Sequence, residues 1–285
     1  MKIILPTLRI VFCVGFILLC ALPISSLDIL NTIIKDRRQL SALLPVFQEG
    51  HGEMLIMNGK IRSPLYYSAI KDPESGNFQV IIQSSGMHFK ITTDKYINII
   101  ESITIYSSDY DDYIKKLGFD TLKYSQDNSK QTIDFNYFRQ NNIVKHTAIQ
   151  IDENTMSSDL LLIYLECLLL VGSRENFICD VISSQKGMKI RMDIKFIESD
   201  NLQKLSPSVT FPDKFNEITA HKNYYVYQLS IEGLIGFFIR TKWYVAFEPN
   251  TPYIFFSYWG GENDDLEIVY LTDHKFQIND KIISK

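Results

Sequence analysis

The residues able to do chemistry are few and lie far apart in this chain of 285 residues. His51, His88, His146, His221 and His274 are scattered, and no two stand at the spacing that places a zinc pair on one face of a helix or strand. There is no Gly-x-Ser-x-Gly elbow to expose a serine nucleophile. Cys167 and Cys179 sit in apolar runs, which hold a thiol in its protonated, unreactive form. Asp109, Asp111 and Asp112 cluster, as do Glu262, Asp264 and Asp265, but neither group has the regular oxygen spacing and central glycine of a calcium loop. Both read as solvated turns. The pattern therefore predicts no catalytic residue, no metal ligand and no cofactor, and the chain reads as a non-enzyme. A glycan hydrolase using unidentified carboxylates is the remaining catalytic reading.

Aromatic residues are the other chemically suggestive group. Thirteen of them crowd residues 224–259. Strands apolar on successive residues are either buried on both faces or line a cavity. On the cavity reading, Trp243, Tyr244, Phe255, Tyr258 and Trp259 line a site for an apolar ligand. On the plainer reading they are core.

The elements that would position these residues follow from hydrophobic period. After Ser26 and Asp28, residues Ile29, Leu30, Ile33, Ile34 and Leu40 recur near helical spacing and predict a short N-terminal helix, ended by Pro45. The period then falls to two. Strands are predicted over 53–57, 65–71, 78–84, 88–92 and 97–106, separated by short turn signals such as Asn58-Gly59 and Ser85-Gly86. Turns this short describe an antiparallel meander, since parallel strands need long crossovers. A helical turn over 109–117 precedes strands over 121–124, 131–137 and 144–151. Ser157-Ser158-Asp159 then starts a helix, nine aliphatic residues follow, and Gly172 stops it. A helix apolar almost all round is buried on most sides, and this one is too short to span a bilayer. Strands resume over 177–184 and 189–196. A strap over 206–213 carries Pro207 and Pro212. Strands over 224–231, 236–247, 253–259 and 266–271 close the chain. The expected class is mainly β: a curved antiparallel sheet, half-barrel or open barrel, around one apolar helix.

Residues 1–26 speak to destination. Lys2 and Arg9 precede an uncharged apolar run from Ile10 to Ile24, then Ser25 and Ser26, and the first acid of the chain is Asp28. This is the layout of a signal peptide cleaved after Ser26. A run of about 15 residues falls short of the roughly 18–20 needed for a permanent anchor. A lipoprotein reading would use Cys20, but Leu19 stands where a small residue is expected. Cleavage leaves residues 27–285 as one β-rich domain, with two lobes meeting near 199–215 as the variant. Without Lys2 and Arg9, 27 basic residues face 33 acidic ones, a balance of −6. Such a chain lacks the basic footprint for nucleic acid or anionic lipid. No Asn-x-Ser/Thr acceptor remains after residue 26, which favours a bacterial periplasmic or secreted location over a eukaryotic route. Any membrane association would come through an uncleaved signal. In an oxidising compartment Cys167 and Cys179 form either a disulfide, worth roughly 3 kcal/mol by loop entropy, or two buried thiols.

Several stretches resemble the exported bacterial family called domain of unknown function 3108. They are Phe47-Gln48-Glu49-Gly50-His51-Gly52-Glu53 at the start of the meander, Ser157-Ser158-Asp159-Leu160-Leu161 with Tyr164-Leu165 in the helix, and Trp243-Tyr244-Val245 through Pro252 to Gly260-Gly261 and Leu266-Glu267-Ile268. The likeness runs from Leu44 to Leu271 and rests on apolar residues and turns. Ile163 stands where the family usually has serine, and the helix is unusually leucine-rich. The resemblance implies a curved sheet around a helix, similar to periplasmic lipoprotein carriers, and no activity. The expected function is an exported, non-catalytic protein that binds a lipid or an acylated partner, such as a lipoprotein, in its concavity. The alternative is a structural or interaction protein of the envelope whose own helix fills that space.

Overall fold

The computed structural model describes residues 44–152, 154–220, 222–233, 241–250, 253–261 and 266–278, with 281–284 described in backbone alone. The predicted signal peptide and N-terminal helix, His221, Pro252 and the Glu262, Asp264, Asp265 turn lie outside the described residues.

Two meanders build one sheet. The first comprises β1 (Phe47–Ile56), β2 (Ile61–Lys71), β3 (Phe78–Ser84), β4 (Met87–Thr93), β5 (Ile99–Tyr106), β6 (Thr121–Asp127), β7 (Thr132–Arg139) and β8 (Asn142–Gln150). The second comprises β10 (Phe177–Ser183), β11 (Met188–Ser199), β12 (Tyr224–Ile231), β13 (Lys242–Phe247), β14 (Phe255–Gly260) and β15 (Glu267–Ile278). A short β9 (Thr155–Ser157) lies parallel to β10, and β16 (Lys281–Ser284) pairs with β15 beside the main path. Antiparallel pairing of β1 with β15 joins the halves, so the path runs from β8 through β1 and β15 to β9 without a break. The mainly-β curved sheet expected from the strand pattern is the fold observed, and it is not closed into a barrel.

Its two edges are consecutive in the chain, with only residues 151–154 between β8 and β9. Side chains span this seam where ladder bonds do not. Tyr137 Oη donates to the Ser184 carbonyl at 2.7 Å, and Lys145 Nζ to the Lys186 carbonyl at 2.8 Å. The β1–β15 join demands glycine. A Cβ on Gly52 would lie 1.9 Å from the Tyr270 carbonyl oxygen, at a bulge where the register shifts between His51 and Gly52.

Three helices are described. A 3-10 turn (Ser108–Tyr110) leads into α1 (Asp111–Leu117), which has Asp111 and Asp112 in its first turn and Lys115 and Lys116 in its last, and which ends at the left-handed Gly118. A second 3-10 turn (Ser158–Leu160) leads into α2 (Leu161–Leu170). The Ser157 hydroxyl accepts from the Asp159 N–H at 3.3 Å, satisfying a donor that the helix start leaves open. From Leu160 to Leu169 every residue of α2 and its lead-in is buried except Leu162, so α2 is enclosed by the sheet rather than laid on it. Burying about nine aliphatic side chains at roughly 1.5–3 kcal/mol each makes α2 a major part of the core, as an upper estimate.

The strap bears mainly on the second half, with Leu55 of β1 also packed against its cluster. A 3-10 turn (Leu202–Leu205), the proline-bearing stretch after it and α3 (Asp213–Thr219) cover the outer face of the sheet. Leu202, Phe211 and Phe215 there meet Tyr224, Tyr244, Phe256, Trp259 and Tyr270 in a second apolar cluster, separate from the one around α2. This half is therefore buried on both faces, which accounts for its successive aromatics.

Candidate functional site

The five aromatic candidates do not converge. Neighbours in a strand point to opposite faces; β13 obeys this throughout, and β14 on either side of the bulge opposite Ala246 and Phe247. Tyr244 and Trp259 are cross-strand partners on the outer face, stacked at 5.1 Å between ring centroids. Trp259 Nε1 donates to Ser206 Oγ at 3.0 Å, and Tyr244 Oη to the Leu205 carbonyl at 2.8 Å. Both rings are thereby fastened to the strap. Trp243, Phe255 and Tyr258 belong to the inner cluster instead. Trp243 lies across Gly260, whose Cβ would meet its ring at 2.4 Å. Phe255 packs between Tyr67 and Phe247 at 6.0 and 6.4 Å. The single aromatic-lined site expected from the sequence is thus divided by the sheet itself.

The concavity holds α2 and three carboxyls that sequence reasoning did not single out as a set. Glu166, on α2, accepts from Gln48 Nε2 at 3.0 Å, and Gln48 Oε1 accepts from Tyr67 Oη at 3.5 Å. Burial pushes the Glu166 carboxyl up to about 8, against the pull of the Gln48 hydrogen bond. Asp159, at the lead-in to α2, accepts from Tyr124 Oη at 2.5 Å, Ser184 Oγ at 2.9 Å and Ser158 Oγ at 3.0 Å. Burial raises its pKa despite these donors. Glu267, on β15, accepts from Tyr113 Oη at 3.1 Å, and Gln185 Nε2 donates to the Tyr113 and Tyr106 hydroxyls at 3.2 and 3.4 Å. Burial raises the Glu267 carboxyl as well.

Each acid has its own hydroxyl or amide donors, drawn from strands, from α1 and from turns. The arrangement fastens α2 and β15 to their surroundings through neutral donors. Glu166 had a signal in the sequence, as the single acid within a run of leucines. Gln48 had none, because nothing local says that β1 faces α2.

Cys167 and Cys179 are both buried thiols and are not joined in a disulfide. Cys167 sits on α2 and Cys179 on β10. Burial pushes the Cys179 thiol up to about 12 and the Cys167 thiol higher still. The oxidised pair is thereby corrected to the alternative of two small buried hydrophobes. Among the described residues, no group of three or more His, Cys, Asp or Glu side chains is placed to hold a metal ion. Among them, too, no helix is long and apolar enough to cross a membrane.

The void beside α2 measures about 20 Å³ and is lined by Ile97, Ile99, Ile133, Met156, Leu160 and Tyr164 among others, room for about one water molecule.

No family model matches the chain, and no curated protein matches it. Among solved structures, a beta-barrel-like protein of domain of unknown function 1849 from Brucella abortus is similar at 6% identity, over 81% of this chain and 98% of that one, with a TM-score of 0.45.

Proposed function

We propose that this is an exported, non-catalytic protein of the bacterial envelope that acts through its outer surface, the concavity of its sheet being occupied by its own helix. One observation carries the reading: from Leu160 to Leu169 every residue but Leu162 is buried, and the void beside α2 is water-sized. A carrier needs a cavity of several hundred cubic ångströms for an acyl chain. Export rests on the arrangement of residues 1–26.

A second reading is favoured by Glu166. An acid on the helix that fills the concavity weakens its seat when ionised, so α2 could yield its place to a lipid. Titration with oleic acid and lysophosphatidylcholine separates the two. Trp243 and Trp259 are the only tryptophans, and Trp243 packs on the inner cluster. The filled-concavity reading expects no saturable change in emission and no rise in melting temperature. A saturable shift, lost in Trp243→Phe and accompanied by a higher melting temperature, would overturn it in favour of the carrier.

A further inference from the structure

A different feature lies at the margin of the sheet, where α3 stops and residues of both apolar clusters meet. A cleft of about 420 Å³ opens there, bounded by the end of α3 (Ile218), the start of β12 (Tyr224), the turn after β13 (Glu248 to Asn250), Phe256 of β14, and Leu271, Thr272 and His274 of β15. This lies within the usual size range of small-ligand sites.

Its floor carries a polar group that is out of place in an ordinary core. Tyr224 is 1% exposed, and its hydroxyl is buried without a hydrogen-bond partner. A buried tyrosine hydroxyl normally finds one, because leaving it unmet costs free energy. Beside it, His274 Nε2 stands 3.9 Å from Glu248 Oε2, both side chains largely sheltered from solvent. Lys222 and Asn223, exposed at the rim, and Asn250 and Thr272 complete the polar lining.

The mixture points to a ligand class. The lining holds one ammonium, on Lys222, and one carboxylate, on Glu248, so neither an anion nor a cation is favoured by the sum. Hydroxyl and amide groups that both donate and accept match a neutral ligand dense in hydroxyls. Ile218, Pro249, Phe256 and Leu271 supply apolar wall for the C–H face of a ring. We propose that the cleft between α3 and the Tyr224, Glu248 and His274 floor binds a neutral saccharide unit, with the Tyr224 hydroxyl and the Glu248 carboxylate hydrogen-bonding its hydroxyls. This goes beyond the filled-concavity reading, because none of the residues that line the cleft belongs to α2.

Saturation-transfer NMR on the purified protein with glucose, N-acetylglucosamine and maltose tests the proposal, with gluconate and glucosamine as anionic and cationic counterparts. Transfer to the ring C–H protons of at least one neutral sugar is expected, with little to the charged pair. Tyr224→Phe and Glu248→Gln should each weaken binding by about tenfold, the value of one or two lost hydrogen bonds. Tyr224→Phe keeps every packing contact of the ring and removes an unpartnered hydroxyl, so its melting temperature should hold. It decides the matter if Glu248→Gln fails to fold. No transfer to any neutral sugar, equal transfer in folded Tyr224→Phe, or stronger transfer to gluconate or glucosamine overturns the proposal.

Discussion

Glu166 offers the sharpest test of whether α2 is enclosed. Its carboxyl is 5% exposed, is met by one amide hydrogen bond, and is pushed up from 4.5 to about 8 by burial. Below pH 4.5 the folded and unfolded chains both hold the proton, and this group gives no pH dependence. Between 4.5 and 8 the folded chain keeps a proton that the unfolded chain has released, so the unfolded state binds fewer protons and stability falls as pH rises. Above 8 both are ionised and the effect levels off. At about 1.4 kcal/mol for each pH unit of that window, the loss is on the order of 5 kcal/mol. Glu166→Gln removes the titration and keeps an oxygen to accept from Gln48. Melting of wild type and variant should therefore nearly coincide at pH 5 and diverge to about 10 °C by pH 9, the variant being the more stable, since 1 kcal/mol is worth about 2–4 °C in domains of this class. Asp159 and Glu267 titrate in the same sense in both proteins and cancel in the difference. Their neighbours with lowered pKa values, such as Asp152, cancel as well. A difference between the two curves that stays constant from pH 5 to 9 would mean an ordinary Glu166 titrating in water, and α2 would not be enclosed.

Other expectations follow from the packing. Leu165 is 0% exposed, so Leu165→Ala should cost about 2–5 kcal/mol and Leu165→Asp should abolish the cooperative transition, read by circular dichroism during heating. Gly52→Ala would drive a Cβ into the Tyr270 carbonyl and should destabilise the β1–β15 join, seen as faster amide exchange in those two strands and not in β3 or β4. Iodoacetamide without reductant should leave Cys167 and Cys179 unmodified in the native protein and alkylate both after unfolding, whereas a mass 2 Da low with no alkylation would restore the disulfide. N-terminal sequencing of envelope-derived protein should begin at Leu27.

Period-two patterning carried most of the sheet. The strand predicted over 78–84 is β3 to the residue, and the one predicted over 189–196 lies within β11. The misses have physical causes. β1 begins at Phe47 rather than at Glu53, because Gly50 and Gly52 interrupt the apolar alternation. Those glycines answer to β15, a partner more than two hundred residues away, and no local window contains that constraint. β9 has three residues and pairs in parallel with β10, and three residues cannot display a period. The helix from Ser158 was legible because its leucines break the strand pattern, and its cap lies where the serines predicted it.

The aromatic cluster shows where local reading could have gone further and where it could not. Trp243 and Tyr244 are adjacent, as are Tyr258 and Trp259, and a two-residue period forbids adjacent side chains from sharing a face. One concavity could never have held all five candidates, and the sequence alone contained that objection. What it did not contain was the identity of the cover. Only Pro207 and Pro212 mark the strap, yet the strap turns the convex face of β12 to β15 into a second core by supplying Leu202, Phe211 and Phe215 and by accepting from Tyr244 and Trp259. The cover ends with α3, and there the same aromatic surface meets solvent beside a carboxylate, an imidazole and an unmatched hydroxyl. The chemistry of the second half is therefore concentrated where a double-faced core runs out of cover, at the margin where the two clusters meet.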